Sequence, residues 1–434
     1  MKKQRIIFVF ALVLIMGALA FVYYPVSEDY VLTKSAQEPS NNKKITPSAS
    51  SEAQVPVVAE DDQNPFVQKL LQEYEAYIQQ SVEKGLTPGL AVAILRDSAI
   101  VYLKGFGLRT MGTTDSIDTH TIFRVGSVSK SITASLAAKL VDEHFFHWDD
   151  SITKFLPNFR LKSEEYTHQL TIRHVLSHTI GLPYHAYTSM IEERTPLDTL
   201  LNHLQDLDLN APPGKIYSYQ NVGFSLIQKV VETSGKTFEE LLQEKLFQPL
   251  HMYNASASFM GIMSHTNVAS PHHFTKIGWR QTFISDTYYN SVPAGGINCS
   301  IADLAMWLKY LNSTRSTFWS DTVREELFTP QVKAISRNRS FWIWQRPRQS
   351  YYGLGWRVIQ FPKDTLYYHG GYVNGFRSEV AIHPSSKFAI AVLTNAAGNI
   401  ADQSIPQFYK LHSAYADSIA YWENNVRNTV ARKQ

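Results

Sequence analysis

Ser127 and Lys130 stand three residues apart in the run Phe123-Arg124-Val125-Gly126-Ser127-Val128-Ser129-Lys130. A serine hydroxyl is a poor nucleophile until a neighbouring base takes its proton. Residues i and i+3 of a helix share one face, so a lysine there reaches the serine oxygen. Burial disfavours the ammonium form and lowers the lysine pKa towards that of a working base. With Ser127 opening the helix, its backbone N–H is free to donate to a developing oxyanion. The spacing alone recurs by chance, so its weight depends on what accompanies it.

Two further clusters accompany it. Tyr219 and Asn221 follow the turn Pro212-Pro213-Gly214 and precede an apolar, helix-like segment. A tyrosine held beside a lysine can ionise or pass protons, because a positive charge favours the phenolate. Asn221 offers both a donor and an acceptor to a substrate amide. The third cluster is Tyr367-Tyr368-His369-Gly370-Gly371-Tyr372. Two glycines on a strand let a ligand approach the backbone closely, and the Tyr372 N–H can supply a second oxyanion donor. Each cluster taken alone also fits a packed tyrosine or a flexible turn.

In this order the three clusters resemble the serine β-lactamase and penicillin-binding superfamily. The match is closest to its class C-like branch of β-lactamases, DD-peptidases, D-amino-acid peptidases and esterases. Tyr219-Gln220-Asn221 is similar to the branch's Y-x-N element, and His369-Gly370-Gly371 to an H-x-G that replaces K-T-G. Further resembling stretches are Leu176-Ser177-His178-Thr179-Ile180-Gly181-Leu182, Pro293-Ala294-Gly295-Gly296 and Tyr352-Gly353-Leu354-Gly355-Trp356. The resemblance implies a double-displacement acyl transfer through Ser127, with Lys130 and Tyr219 relaying the proton. It implies substrate or oxyanion contacts at Asn221, His369, Gly370, Gly371 and Tyr372, and neither a metal nor an organic cofactor. His369 departs from the lysine that many relatives carry. A permanent cation there suits a carboxylate-bearing β-lactam, whereas histidine is mostly neutral near pH 7. The expected substrate is therefore a small molecule or a peptide of D-amino-acid or peptidoglycan type, or an ester. A class C-like β-lactamase and a catalytically silent binding protein with this fold are the alternatives.

The surrounding elements must position these residues. Residues 66–84, 127–142, 172–177 and 222–232 have helical apolar spacing. Residues 89–95 with 100–102, and 377–383 with 388–394, read as β-hairpins. A helical tail covers roughly residues 405–426. This order predicts an α+β, β-lactamase/transpeptidase-like fold: an antiparallel sheet from both ends of the domain, flanked by helices, with an inserted all-helical lobe. The hydrolase domain is expected over residues 65–415, with a C-terminal tail at 416–434.

Composition sets outer bounds. The chain has 434 residues, 44% hydrophobic and 18% charged, which suits a large globular core. A net charge of +3 makes no case for nucleic acid. The single cysteine, Cys299, excludes an intramolecular disulfide and a cysteine metal site. His178 and His272-His273 lack partner ligands at zinc spacing. Lys2, Lys3 and Arg5 precede an apolar run at residues 6–24. That run fits a signal peptide cleaved after Ala18-Leu19-Ala20, or a membrane anchor. Both readings of residues 1–25 place the enzyme outside the cytoplasm, in the periplasm or cell envelope, with residues 26–64 as a polar linker. The Trp- and Arg-rich stretch 337–348 is expected to pack on its own domain rather than on a membrane or glycan.

Overall fold

The computed structural model describes residues 59–60, 62–313, 315–334 and 339–431. The expected signal or anchor segment and most of the linker lie outside the described residues. Among the described residues no helix is long and apolar enough to cross a membrane. The linker's end is already held by the domain: Glu60 N–H donates to Ile100 O at 2.6 Å, and Asp62 pairs with Arg96 at 2.7 Å. Helix α1 (Pro65–Glu83) starts there, with Asn64 accepting from the Phe66 N–H and proline at the first position.

The architecture is α+β. Among the described residues twelve strands are formed: β1 (Gly89–Arg96), β2 (Ala99–Gly107), β3 (Ile122–Arg124), β4 (His272–Thr275), β5 (Gly278–Gln281), β6 (Asn298–Ser300), β7 (Val332–Lys333), β8 (Gln349–Tyr352), β9 (Arg357–Gln360), β10 (Thr365–Val373), β11 (Phe376–His383) and β12 (Phe388–Thr394). Eight of them build one antiparallel sheet in the order β2-β1-β12-β11-β10-β9-β8-β7. The N-terminal hairpin thus pairs with the C-terminal one, as expected from the sequence. The second strand is longer than its apolar run, 100–102, because it continues along β1 to Gly107.

Strand alternation explains why β1 and β12 read as unbroken apolar runs. Ala91, Ala93 and Leu95 enter one core, and Leu90, Val92 and Ile94 the other. Ala389, Ala391 and Leu393 likewise oppose Phe388, Ile390 and Val392. Both faces are covered, so no polar face is needed. One cover is α1 with helix α5 (Asn399–Ala431). The expected tail is part of that cover: α5 runs through position 416 without a break, and Ile419 is buried in the same core. Phe341 and Trp344 join this core, so the described part of that stretch, 339–348, packs on its own domain, while Trp342 remains exposed.

The other face carries the inserted lobe. Its main helices are α2 (Ser129–Asp142), α3 (Asn221–Glu232) and α4 (Ile301–Asn312). A reciprocal Ser300–Asp303 capping box opens α4. Besides its helices the insertion carries two short antiparallel pairs, β3–β6 and β4–β5. Helix α2 is buried all round from Ser129 to Ala138. Its small hydroxyl residues make this possible, since each finds a buried partner. Ser131 Oγ donates to Gly355 O at 2.7 Å and Thr133 Oγ1 to Pro293 O at 3.1 Å.

Candidate active site

Ser127 lies in a 3-10 turn, Gly126–Val128, just before α2 rather than on its first α-helical turn. The turn needs Gly126, whose φ is +50° and whose Cβ would fall 2.8 Å from Tyr372 N. Ser127 is partly exposed, while Lys130 behind it is fully buried. Lys130 Nζ lies 3.4 Å from Ser127 Oγ, 2.8 Å from Asn221 Oδ1 and 2.7 Å from Ala294 O. Burial, then the positive charge of Arg357, holds its pKa well below the usual lysine value. A neutral amine has two hydrogens and one lone pair. Asn221 Oδ1 and Ala294 O engage the two hydrogens, which leaves the lone pair for the Ser127 hydroxyl.

Tyr219 OH donates to Ser127 Oγ at 2.9 Å. Lys130 Nζ sits 4.7 Å from the centre of the same ring. The sequence suggested that the lysine would favour a phenolate. Burial outweighs it and raises the Tyr219 pKa, so the phenol keeps its proton.

Asn221 opens α3 and is buried. Its carbonyl oxygen is occupied by Lys130, so it orients the lysine as well as facing the cleft. Strand β9 pairs with β10 only as far as Tyr368, and the rest of β10 runs past the Ser127 turn. A Cβ on Gly371 would lie 2.1 Å from Val125 O and 3.0 Å from Ser127 N. This close passage sets the backbone of Ser127 and the backbone of Tyr372 side by side along the cleft. The cleft encloses about 1040 Å³ and is lined by Ser127, Tyr219, Asn221, Arg357 and residues 370–372.

His369 does not line it. The ring is buried, with Nδ1 2.9 Å from Gly370 O and Nε2 3.0 Å from Tyr352 OH. Nδ1–H therefore donates to the carbonyl, and Nε2 accepts from the phenol. Burial, then Arg357, holds its pKa well below the usual histidine value. His369 shares with Gly371 the face of β10 that meets the Ser127 turn, but its ring is buried behind Tyr352, so it supports the cleft wall instead of making the expected direct substrate contact.

Two residues were missed from the sequence. Arg357 lines the cleft, its guanidinium carbon 5.8 Å from the ring centres of both Tyr219 and Tyr352. Among the described residues it has no carboxylate partner, and with Lys215, Lys333 and Arg377 it makes up the basic lining of the cleft. A lone arginine after Trp356 carried no local signal. His178 is the other. Its ring is buried, stacks 4.3 Å from Tyr219 and accepts the Gln220 N–H at 3.2 Å. His178 thereby fixes the segment holding Tyr219 and Asn221. The stretch around it was legible, its contacts were not. Among the described residues no group of histidine, cysteine and acidic side chains is arranged to hold a metal.

A cleft serine with a buried lysine and a phenol at its oxygen, beside an antiparallel sheet, suits a β-lactamase-type architecture. The family model described as Beta-lactamase matches residues 74–412, and the chain belongs to this family of β-lactamase-fold hydrolases. Among curated proteins it is 22% identical over 333 residues to Protein flp of Staphylococcus aureus, covering 75% of this chain and 63% of that one. It is 25% identical over 343 residues to the unguisins hydrolase ungD' of Aspergillus campestris, covering 75% and 61%. The chain thus spans less than two thirds of either relative. The octameric penicillin-binding protein homologue from Pyrococcus abyssi superposes with a TM-score of 0.66 at 25% identity, covering 80% of this chain and 77% of that one. EstCE1, a hydrolase with promiscuous acyltransferase activity, superposes with a TM-score of 0.66 at 19% identity, covering 79% and 99%, and shares the fold.

Proposed function

We propose that this protein is an exported serine hydrolase. In this reading it forms an acyl-enzyme on Ser127 from a peptide or ester that carries a carboxylate. The observation that carries the proposal is the place of Lys130 Nζ, 3.4 Å from Ser127 Oγ and held there by Asn221 Oδ1 and Ala294 O. Ser127 Oγ attacks the carbonyl carbon as its proton passes to Lys130 Nζ. The oxyanion rests on the Ser127 and Tyr372 N–H groups. Tyr219 gives its proton to the leaving nitrogen or oxygen, the bond to the acyl carbon breaks, and the Lys130 ammonium restores the phenol. Water then attacks the acyl-Ser127 ester, losing a proton to the same pair as Ser127 regains its own. Arg357 supports a carboxylate-bearing substrate, because a bidentate charged pair fits its planar fork. Export rests on the charged start and apolar run at residues 2–24.

Hydrolysis of β-lactams is the second reading, favoured by the same Arg357 cation. A fluorophosphonate probe and a fluorescent penicillin, each with Ser127→Ala as control, separate the readings. Rapid probe labelling with slow or absent penicillin hydrolysis is the expected result. Penicillin turnover would select the β-lactamase. Labelling by neither reagent would reject an enzyme and favour a binding protein.

A further inference from the structure

The β4–β5 hairpin stands apart from the cleft chemistry and exposes what soluble surfaces usually hide. Phe274 is 68% exposed, Ile277 75% and, just past the second strand, Phe283 90%. Ile277 stands in the turn, Phe274 just below it opposite Trp279, and Phe283 past the other end, so exposed apolar side chains run along the hairpin and mark an interaction surface. The hairpin is anchored at its base by His272 and nearer its turn by Trp279. His272 N–H donates to Asn395 O at 2.9 Å, and Trp279 Nε1 donates to Gly85 O at 2.8 Å. Next to those anchors lie Leu86, 50% exposed, and Met111, whose N–H reaches His272 Nε2 at 3.1 Å. The apolar tip is therefore held out on a rigid base.

Charge identifies what covers it. Residues 271–285 contain Lys276 and Arg280 and no aspartate or glutamate. Both cations are exposed and unpaired among the described residues. The next acid, Asp286, is engaged by Arg194. Apolar tips that alternate with unopposed cations, beside a tryptophan with its N–H satisfied, match the boundary between headgroups and acyl chains. The apolar run at residues 6–24 gives the same direction from another part of the chain. Residues 25–58 join it to the domain, and 34 residues (58 − 25 + 1) extend at most about 120 Å.

We propose that the β4–β5 hairpin inserts its apolar tip into the interface of a bilayer bearing anionic headgroups. The insertion orients the cleft relative to that surface, since the β10–β11 turn beside Tyr372 abuts the hairpin base at Gly375 and His272.

The test uses the full chain reconstituted into vesicles. Cys299 is buried and is the only native cysteine, so Ile277→Cys takes an environment-sensitive NBD label selectively. Glu165→Cys on the exposed lobe is the control position. In phosphatidylcholine vesicles containing phosphatidylglycerol, the label at 277 is expected to brighten several-fold and shift to the blue, with no change at 165. Lys276→Gln with Arg280→Gln should lower the ratio of immersed to free hairpin by about 30-fold. A water-like signal at 277 in vesicles that carry the chain overturns the proposal. So does a signal that ignores phosphatidylglycerol and grows with the number of chains per vesicle, which would mean that a second copy covers the tip.

Discussion

Replacing Lys130 with methionine removes the amine while keeping a long, flexible side chain in its buried slot. General-base assistance contributes about 10²–10⁴-fold, equal to about 3–5 kcal/mol of barrier. The variant also leaves Asn221 Oδ1 and Ala294 O without their donor, a cost of about 1–3 kcal/mol for each buried acceptor. Relief of lysine desolvation offsets part of that cost, so the fold is expected to survive and a thermal melt checks it. Acylation of Ser127 by a p-nitrophenyl ester should fall by at least about a hundredfold. The pH profile makes the test specific. Below its lowered pKa Lys130 is protonated and cannot accept, so wild-type kcat/KM should rise with pH through that value. The limb should vanish in Lys130→Met. Arg357 is the second cause of the depression, so Arg357→Gln should move the limb to higher pH. The stability sign agrees: the neutral amine's contribution is complete above the unfolded lysine value and is lost as pH falls through the folded one. A Lys130→Met enzyme that is folded, within tenfold of wild type and still shows the acid limb would refute Lys130 as the base.

Arg357→Gln should raise KM by about 10–100-fold for carboxylate-bearing substrates and leave neutral esters within about threefold at a pH above the limb, on the scale of one charged hydrogen-bonded pair. Equal losses on both substrate classes would remove its role in recognition. Gly371→Ala would put a Cβ 2.1 Å from Val125 O, displacing β10 from the Ser127 turn. We expect kcat to drop about 10²–10³-fold, as on loss of one oxyanion donor, and a near-normal kcat would contradict that placement. Glu379 is buried beneath Gly370, and burial raises its pKa from 4.5 to about 7 against the opposing pull of Arg377. The folded state then holds the extra proton between those values, so stability should decline by about 3 kcal/mol as pH rises through 7. Urea melts of Glu379→Gln between pH 5 and 8 should lose this slope, and an unchanged slope would reject the assignment.

Much of this protein could be read from local pattern. Ser127 and Lys130 share a turn because the spacing obeys helical geometry, although Gly126 shifts Ser127 into a 3-10 turn ahead of the helix. Paired glycines at 370 and 371 signalled a close backbone approach, and a side chain at 371 would indeed collide with Val125 O. The apolar runs of β1 and β12 revealed strands buried on both faces. These signals are short-range, and each rests on backbone sterics or strand and helix periodicity.

Protonation and charge were decided by tertiary structure, because desolvation and contact depend on residues distant in the chain. Lys130 meets Asn221 across 91 positions and Ala294 across 164. Only that cage, closed by burial, lowers the pKa of a common lysine and aims it at Ser127. The same burial keeps Tyr219 protonated, where the neighbouring charge alone argued for a phenolate. His369 occupies the position that invited a substrate contact, yet it faces inward to Tyr352. Arg357, the cleft cation that faces Tyr219, lies on a neighbouring strand that no motif marked. A sequence shows which groups could react, but the low dielectric and the partners that set their charge exist only once both ends of the sheet have closed on the lobe.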